Sequence, residues 1–144
     1  MPVILRLDRG DGMEQDFKID HAPTTIIMVV EDEPFLRFAV AEALREEGTT
    51  VVEASSADEA LQYLETTDTV DLVFTDHRMP GPMTGAELAS TIKSRWPSLP
   101  VVMTSGDFDG GGFSGMLIRK PYGIYEVARK LSRIARAYQE GTGS

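Results

Sequence analysis

The 144-residue chain predicts an α/β fold, a doubly wound five-stranded parallel sheet with crossover helices. Three observations carry that prediction. Short β-rich apolar runs alternate with helical patterns between residues 25 and 136, the signature of a parallel sheet. Several of those runs are continuously apolar, as expected of strands covered on both faces. The helical stretches begin and end on recognisable start and stop residues.

Taken in order, Ile26-Ile27-Met28-Val29-Val30 is the first strand, buried on both faces. Pro34, Leu36, Val40 and Leu44 mark a helix with proline in its first turn and Gly48 as its stop. Thr50-Val51-Val52 is the second strand. Ser56 with Glu59 has the spacing of a capping box and opens a helix through Ala60, Leu61 and Leu64. Leu72-Val73-Phe74-Thr75 is the third strand, and Thr84 with Glu87 repeats the capping pattern before Leu88, Ile92 and Trp96. Pro97 stops that helix. Pro100–Thr104 is the fourth strand and Met116-Leu117-Ile118 the fifth, followed by a last helix with Ile124, Val127, Leu131 and Ile134 on one face. Trp96 and Phe38 are expected to be packing residues.

The fourth crossover breaks the regularity. Residues 106–115 include Gly106, Gly110, Gly111, Gly112 and Gly115. Each glycine in a helix costs about 1 kcal/mol relative to alanine, so the fourth helix is expected to be short or disordered.

Two segments flank the core. Residues 1–24 show no sustained periodicity and read as a flexible extension, a loosely attached strand or an added leader, with Met13 a candidate internal start. Residues 137–144 end in Gly-Thr-Gly-Ser and read as a flexible tail. That tail is too short for a further domain, so a stand-alone module is expected unless the chain is a piece of a longer protein.

Composition narrows the function. There are 14 Lys and Arg against 23 Asp and Glu, a net charge of -9, the wrong sign for neutralising nucleic-acid phosphates. No direct nucleic-acid contact is expected. The absence of cysteine excludes disulfides, a thiol nucleophile and thiolate zinc sites, and it fits a reducing cytoplasm. No apolar run approaches the roughly 20 residues a membrane-spanning helix needs.

Ligands of doubly wound sheets bind outside the carboxyl ends of the strands. Those ends carry Glu31-Asp32-Glu33, Asp76, Thr104-Ser105 and Arg119-Lys120-Pro121. In strand order 2-1-3-4-5 the first, third, fourth and fifth strands are neighbours about 4.8 Å apart, which would gather three carboxylates, a hydroxyl and an ammonium in one pocket. Converging carboxylates repel one another unless a cation intervenes, and a hard ion such as Mg²⁺ suits an all-oxygen site. Asp76 is then a candidate nucleophile on phosphorus, because carboxylates form aspartyl phosphates. Lys120 and Thr104 would contact the oxygens of the transferring group.

The runs Val29-Val30-Glu31-Asp32-Glu33-Pro34, Phe74–Gly81, Val102-Met103-Thr104-Ser105-Gly106 and Arg119-Lys120-Pro121 resemble response-regulator receiver domains of two-component signalling, in their order and spacing. The resemblance spans about residues 25–136 and implies the flavodoxin-like receiver fold. It implies that Asp76 is the phosphoacceptor and that Asp32, Asp76 and the backbone carbonyl of Arg78 bind Mg²⁺, with Glu31 acting largely through water. It further implies that Thr104 senses the phosphoryl group, that Lys120 pairs with it, and that the Lys120–Pro121 peptide is cis. The implied partners are a sensor histidine kinase or phosphotransfer protein and a downstream protein reached by contact. Such a domain is a cytoplasmic signalling module and not an enzyme beyond its own phosphorylation and dephosphorylation.

The chain departs from the family in three places. Leu117 stands where an aromatic switch residue is usual, the fourth crossover is glycine-rich, and Ser105 offers a second hydroxyl beside Thr104. Two other readings stand beside the leading one. A haloacid-dehalogenase-type phosphohydrolase also uses a strand-end aspartate and Mg²⁺, but its Asp-x-Asp pattern is broken here by Arg78. A degenerate receiver would bind partners without phosphorylation, against which stand the intact Asp32, Asp76, Thr104 and Lys120.

Overall fold

The computed structural model describes residues 3–8, 14–19, 24–107, 113 and 115–141. Its elements are β1 (Val3–Asp8), β2 (Glu14–Ile19), β3 (Ile26–Val30), α1 (Pro34–Glu46), β4 (Thr50–Ala54), α2 (Ala57–Leu64), β5 (Leu72–Asp76), α3 (Gly85–Arg95), β6 (Val101–Ser105), β7 (Met116–Arg119) and α4 (Ile124–Gln139). Strands β3 to β7 form one parallel sheet in the order β4-β3-β5-β6-β7, which is 2-1-3-4-5 counted over the core strands alone. This is the predicted fold class.

Strand alternation divides the core into two layers. Ile27 and Val29 of β3 and Leu72 and Phe74 of β5 pack with Val40 and Leu44 of α1 and Leu131 and Ala135 of α4. Their strand neighbours Met28, Val30 and Val73 point the other way, onto Ala60 and Leu64 of α2 and Leu88 and Ile92 of α3. β3 is therefore apolar at every position and β5 is apolar up to Thr75 and Asp76 at its carboxyl end, and each fully buried aliphatic side chain contributes about 1.5–3 kcal/mol. A core covered on both faces keeps the strands rigid, and the residues at their carboxyl ends inherit that rigidity.

Local signals behave as the chemistry dictates, with two corrections. The Thr84–Glu87 capping box is reciprocal, at 3.1 and 3.0 Å. The Ser56 hydroxyl accepts from the Glu59 amide at 3.1 Å, but the Glu59 carboxylate turns to the Ser55 amide and hydroxyl, so that box is only half formed. Gly48, just past α1, has φ +85°, the left-handed geometry glycine adopts without strain. Trp96 packs in the α2/α3 layer, with the Arg95 guanidinium 4.5 Å from its ring centre. Phe38 does not pack: it is 58% exposed, because α1 turns Val40, Ala41, Ala43 and Leu44 inward and leaves Phe35 and Phe38 on the opposite face.

The flanking segments differ from expectation in detail. The extension contains two strands paired antiparallel, Val3 opposite Ile19 and Asp8 opposite Glu14, so of the alternatives for this segment it is strand, and two strands where one was the expectation. Its signal was the short alternations Leu5-Arg6-Leu7-Asp8 and Asp16-Phe17-Lys18-Ile19 around Gly10 and Gly12. Met13 lies outside the described residues. At the other end α4 runs three residues past the expected domain limit of 136, to Gln139. The Gln139 amide explains this: it accepts from the Thr25 hydroxyl and donates to the Thr24 carbonyl, both at 2.9 Å, tying the helix end to the entry of β3. Of the fourth crossover, residues 106, 107, 113 and 115 are described, and none is helical.

Candidate functional site

The carboxyl ends of β3, β5, β6 and β7 meet at one edge of the sheet. Glu31 extends the β3 ladder by donating its amide to the Ala54 carbonyl at 3.0 Å, which leaves its side chain buried beside β5. Asp76 is the last residue of β5, buried, and opposite Thr104 in the β5–β6 register. The His77 amide donates to the Thr104 carbonyl at 2.9 Å and the Lys120 amide to the Ser105 carbonyl at 3.0 Å, so the chain turns leaving β5 and β7 are both pinned to β6. The Lys120–Pro121 peptide is cis.

The acidic run after β3 divides its labour. Glu33 caps α1, its carboxylate accepting from the Phe35 amide at 3.2 Å and the Leu36 amide at 2.7 Å, satisfying two donors that a helix start leaves open. Glu31 and Asp32 instead converge with Asp76, with one carboxylate oxygen of each within 4.8 Å of the others. Asp32 is exposed and the other two are buried, so the cluster opens to solvent on one side. Lys120 stands between the buried pair, its ammonium 3.2 Å from Asp76 Oδ2 and 3.4 Å from Glu31 Oε1.

The electrostatics follow from this crowding. Burial pushes the Glu31 carboxyl up to about 7, and the charge of Asp76 and a hydrogen bond with Asp32 add to it, against the opposing Glu33 amide and Lys120 ammonium. Burial disfavours the Lys120 ammonium, but its contacts with Asp76 and Glu31 outweigh that, and its pKa lies above the ordinary lysine value. Tyr122, edge-on to Phe74 with ring centres 6.0 Å apart, is also raised, by burial and then by Glu31 and Asp76. Three carboxylates facing one ammonium fit a hard divalent cation, whose charge would relieve both the repulsion and the burial.

The two hydroxyls at the carboxyl end of β6 are not equivalent. Among the described residues the buried Thr104 Oγ1 has no hydrogen-bond partner, whereas Ser105 Oγ donates to Asp107 Oδ1 at 3.1 Å and accepts from the Asp107 amide at 3.2 Å. A buried hydroxyl without a partner costs about 1–3 kcal/mol, so Thr104 is the hydroxyl left with a donor to give. Leu117, in place of an aromatic residue, is half-buried in β7 opposite Met103.

Two contributors escaped the sequence reading. Gly85, the first residue of α3, donates its amide to the His77 carbonyl at 2.7 Å, and a Cβ there would overlap the Asp76 carbonyl. No local signal marks this close approach. Asp107 forms a forked ion pair with Arg78, and its Ser-Gly-Asp setting is a turn signal that pointed to it. No helix among the described residues is long and apolar enough to cross a membrane.

Comparison with known proteins gives one consistent answer. The sequence model of the family described as the response regulator receiver domain matches residues 27–110. The chain is 34% identical over 124 residues to the DNA-binding transcriptional regulator NtrC of Klebsiella pneumoniae, covering 80% of this chain but only 26% of that protein. It thus spans about a quarter of that relative's length. It is 32% identical over 119 residues to the two-component response regulator ORR13 of Oryza sativa subsp. japonica, covering 75% of this chain and 96% of that one. Among solved structures it is similar to the response regulator TrrA of Thermotoga maritima in complex with Mg²⁺ and BeF, with TM-score 0.68, 26% identity, and 76% and 98% of the two chains covered.

Proposed function

The chain belongs to the response regulator receiver domain family, and from that premise we propose that it accepts a phosphoryl group on Asp76 in a Mg²⁺-dependent reaction. The observation that carries this reading is the meeting of the buried Asp76 with Lys120 at 3.2 Å, with Glu31 and Asp32 oxygens within 4.8 Å and with the unpartnered Thr104 hydroxyl alongside. The donor is the phosphohistidine of a sensor histidine kinase or of a phosphotransfer protein. Signalling then runs through contact with a downstream protein or through onward transfer of phosphate, in the cytoplasm and without direct nucleic-acid contact.

Each residue has a defined task. An Asp76 carboxylate oxygen attacks phosphorus; the new O–P bond forms as the P–N bond of the donor breaks, and the imidazole leaves with its electron pair. Lys120 pairs with an oxygen of the arriving group, and the Thr104 hydroxyl donates to another, gaining the partner it lacks before transfer. Asp32, Asp76 and the Arg78 backbone carbonyl would hold Mg²⁺, with Glu31 acting largely through water. When bound, that ion supplies charge neutralisation to the phosphoryl oxygens.

The hydrolase reading is disfavoured because Arg78 stands two residues after Asp76, at the position where the Asp-x-Asp pattern of those enzymes carries its general acid. A binding module without chemistry is disfavoured by the complete set of Asp32, Asp76, Thr104 and Lys120. Calorimetry with Mg²⁺ and beryllofluoride tests the proposal. One equivalent should bind, Asp76→Asn should bind none, and the chain should release no phosphate from a panel of small phosphoesters. Sustained turnover of those esters would favour the hydrolase instead.

A further inference from the structure

Arg78 lies two residues after Asp76, yet its guanidinium is committed to Asp107. The pair is forked, with Nη2 2.6 Å from Asp107 Oδ2 and Nε 3.2 Å from Oδ1. Asp107 is itself fixed by its two hydrogen bonds with Ser105. Since Asp107 follows Thr104 by three residues, Arg78 follows Asp76 by two, and Thr104 is the register partner of Asp76, the ion pair joins the chain leaving β5 to the chain leaving β6.

The fork geometry of arginine matches a carboxylate and a phosphoryl group equally well. The two partners differ in charge: a carboxylate carries one negative charge and a phosphorylated side chain about 1.5 to 2. The existing pair is solvent-exposed, 75% for Arg78 and 54% for Asp107, and exposed pairs are weak, so it can be exchanged at little cost.

Resting on the reading of Asp76 as phosphoacceptor, we propose that Asp107 is a positioning residue that competes with the phosphoryl group for Arg78. In the unmodified chain Asp107 holds the guanidinium; after transfer the phosphoryl oxygens take it over and Asp107 is released. Asp107 thereby biases the protein against its phosphorylated form, and the exchange links the state of Asp76 to the first residues of the fourth crossover.

A double-mutant cycle on the affinity for beryllofluoride with Mg²⁺ tests this. Asp107→Asn keeps an acceptor for Ser105 but loses the charge, and should bind the probe about threefold more tightly. Arg78→Ala should bind more weakly, and adding Asp107→Asn to Arg78→Ala should change nothing. An Asp107→Asn protein with unchanged or weaker binding, or an equal gain without Arg78, overturns the exchange. A parent chain that binds no beryllofluoride at all overturns the phosphoacceptor reading and this inference with it, so the two failures are distinguishable.

Discussion

Lys120 reaches from the end of β7, past β6, to place its ammonium 3.2 Å from Asp76 Oδ2. The contact spans two strands and joins residues 44 positions apart in sequence, so it exists only because the parallel sheet aligns the strand ends. Its removal should be felt mainly in chemistry. Lys120→Met should keep the fold, because its side chain is 30% exposed and the apolar stem can stay in place. Phosphorylation by acetyl phosphate should slow about a hundredfold, as loss of one preorganised donor does, measured by intact mass against time.

Thr104→Val exchanges a hydroxyl for a methyl in nearly the same volume. Because Thr104 Oγ1 has no partner among the described residues, the substitution should raise stability by about 1 kcal/mol while weakening binding of beryllofluoride. Urea denaturation and calorimetry read the two effects separately. A loss of stability would mean that the hydroxyl is bonded before phosphorylation.

The raised Glu31 carboxyl makes the metal-free protein pH-sensitive. Between the ordinary value of 4.5 and about 7 the folded state holds a proton on Glu31 that the unfolded chain releases, so this group's contribution falls as pH rises through that window. Melting temperature in the absence of divalent ions should therefore decline between pH 5 and 7.5, on the order of 5 °C from this group. Glu31→Gln should remove that slope.

Gly85→Ala should destabilise the fold by about 1–3 kcal/mol, the usual penalty for overpacking, since the new methyl overlaps the Asp76 carbonyl. Gly106→Ala is the control, having open space around the added carbon and no positive φ. Thermal melts of the two variants should differ accordingly.

Most of the fold was legible because its signals are local and periodic. The run Ile26–Val30 announces a strand covered on both faces, and Thr84 with Glu87 announces a helix start; both appear where predicted. The grouping of the candidate site residues was legible for a related reason: a parallel sheet puts every strand's carboxyl end on one edge, which brings Glu31, Asp32, Asp76, Thr104 and Lys120 together. What escaped depends on contacts between distant segments. The last turn of α4 is held by Gln139 on Thr24 and Thr25, Phe38 is exposed because other positions of α1 fill the core, and Gly85 matters only through its approach to Asp76. None of these has a period or a motif.

The central claim is that Asp76 carries the phosphoryl group, and intact mass spectrometry after incubation with acetyl phosphate and Mg²⁺ tests it most directly. One adduct of about 80 Da, the mass of a single added phosphoryl group, should appear on the parent chain. It should be absent from Asp76→Asn and from samples treated with a chelator. An unmodified parent chain, or an adduct that persists in Asp76→Asn, would contradict the account.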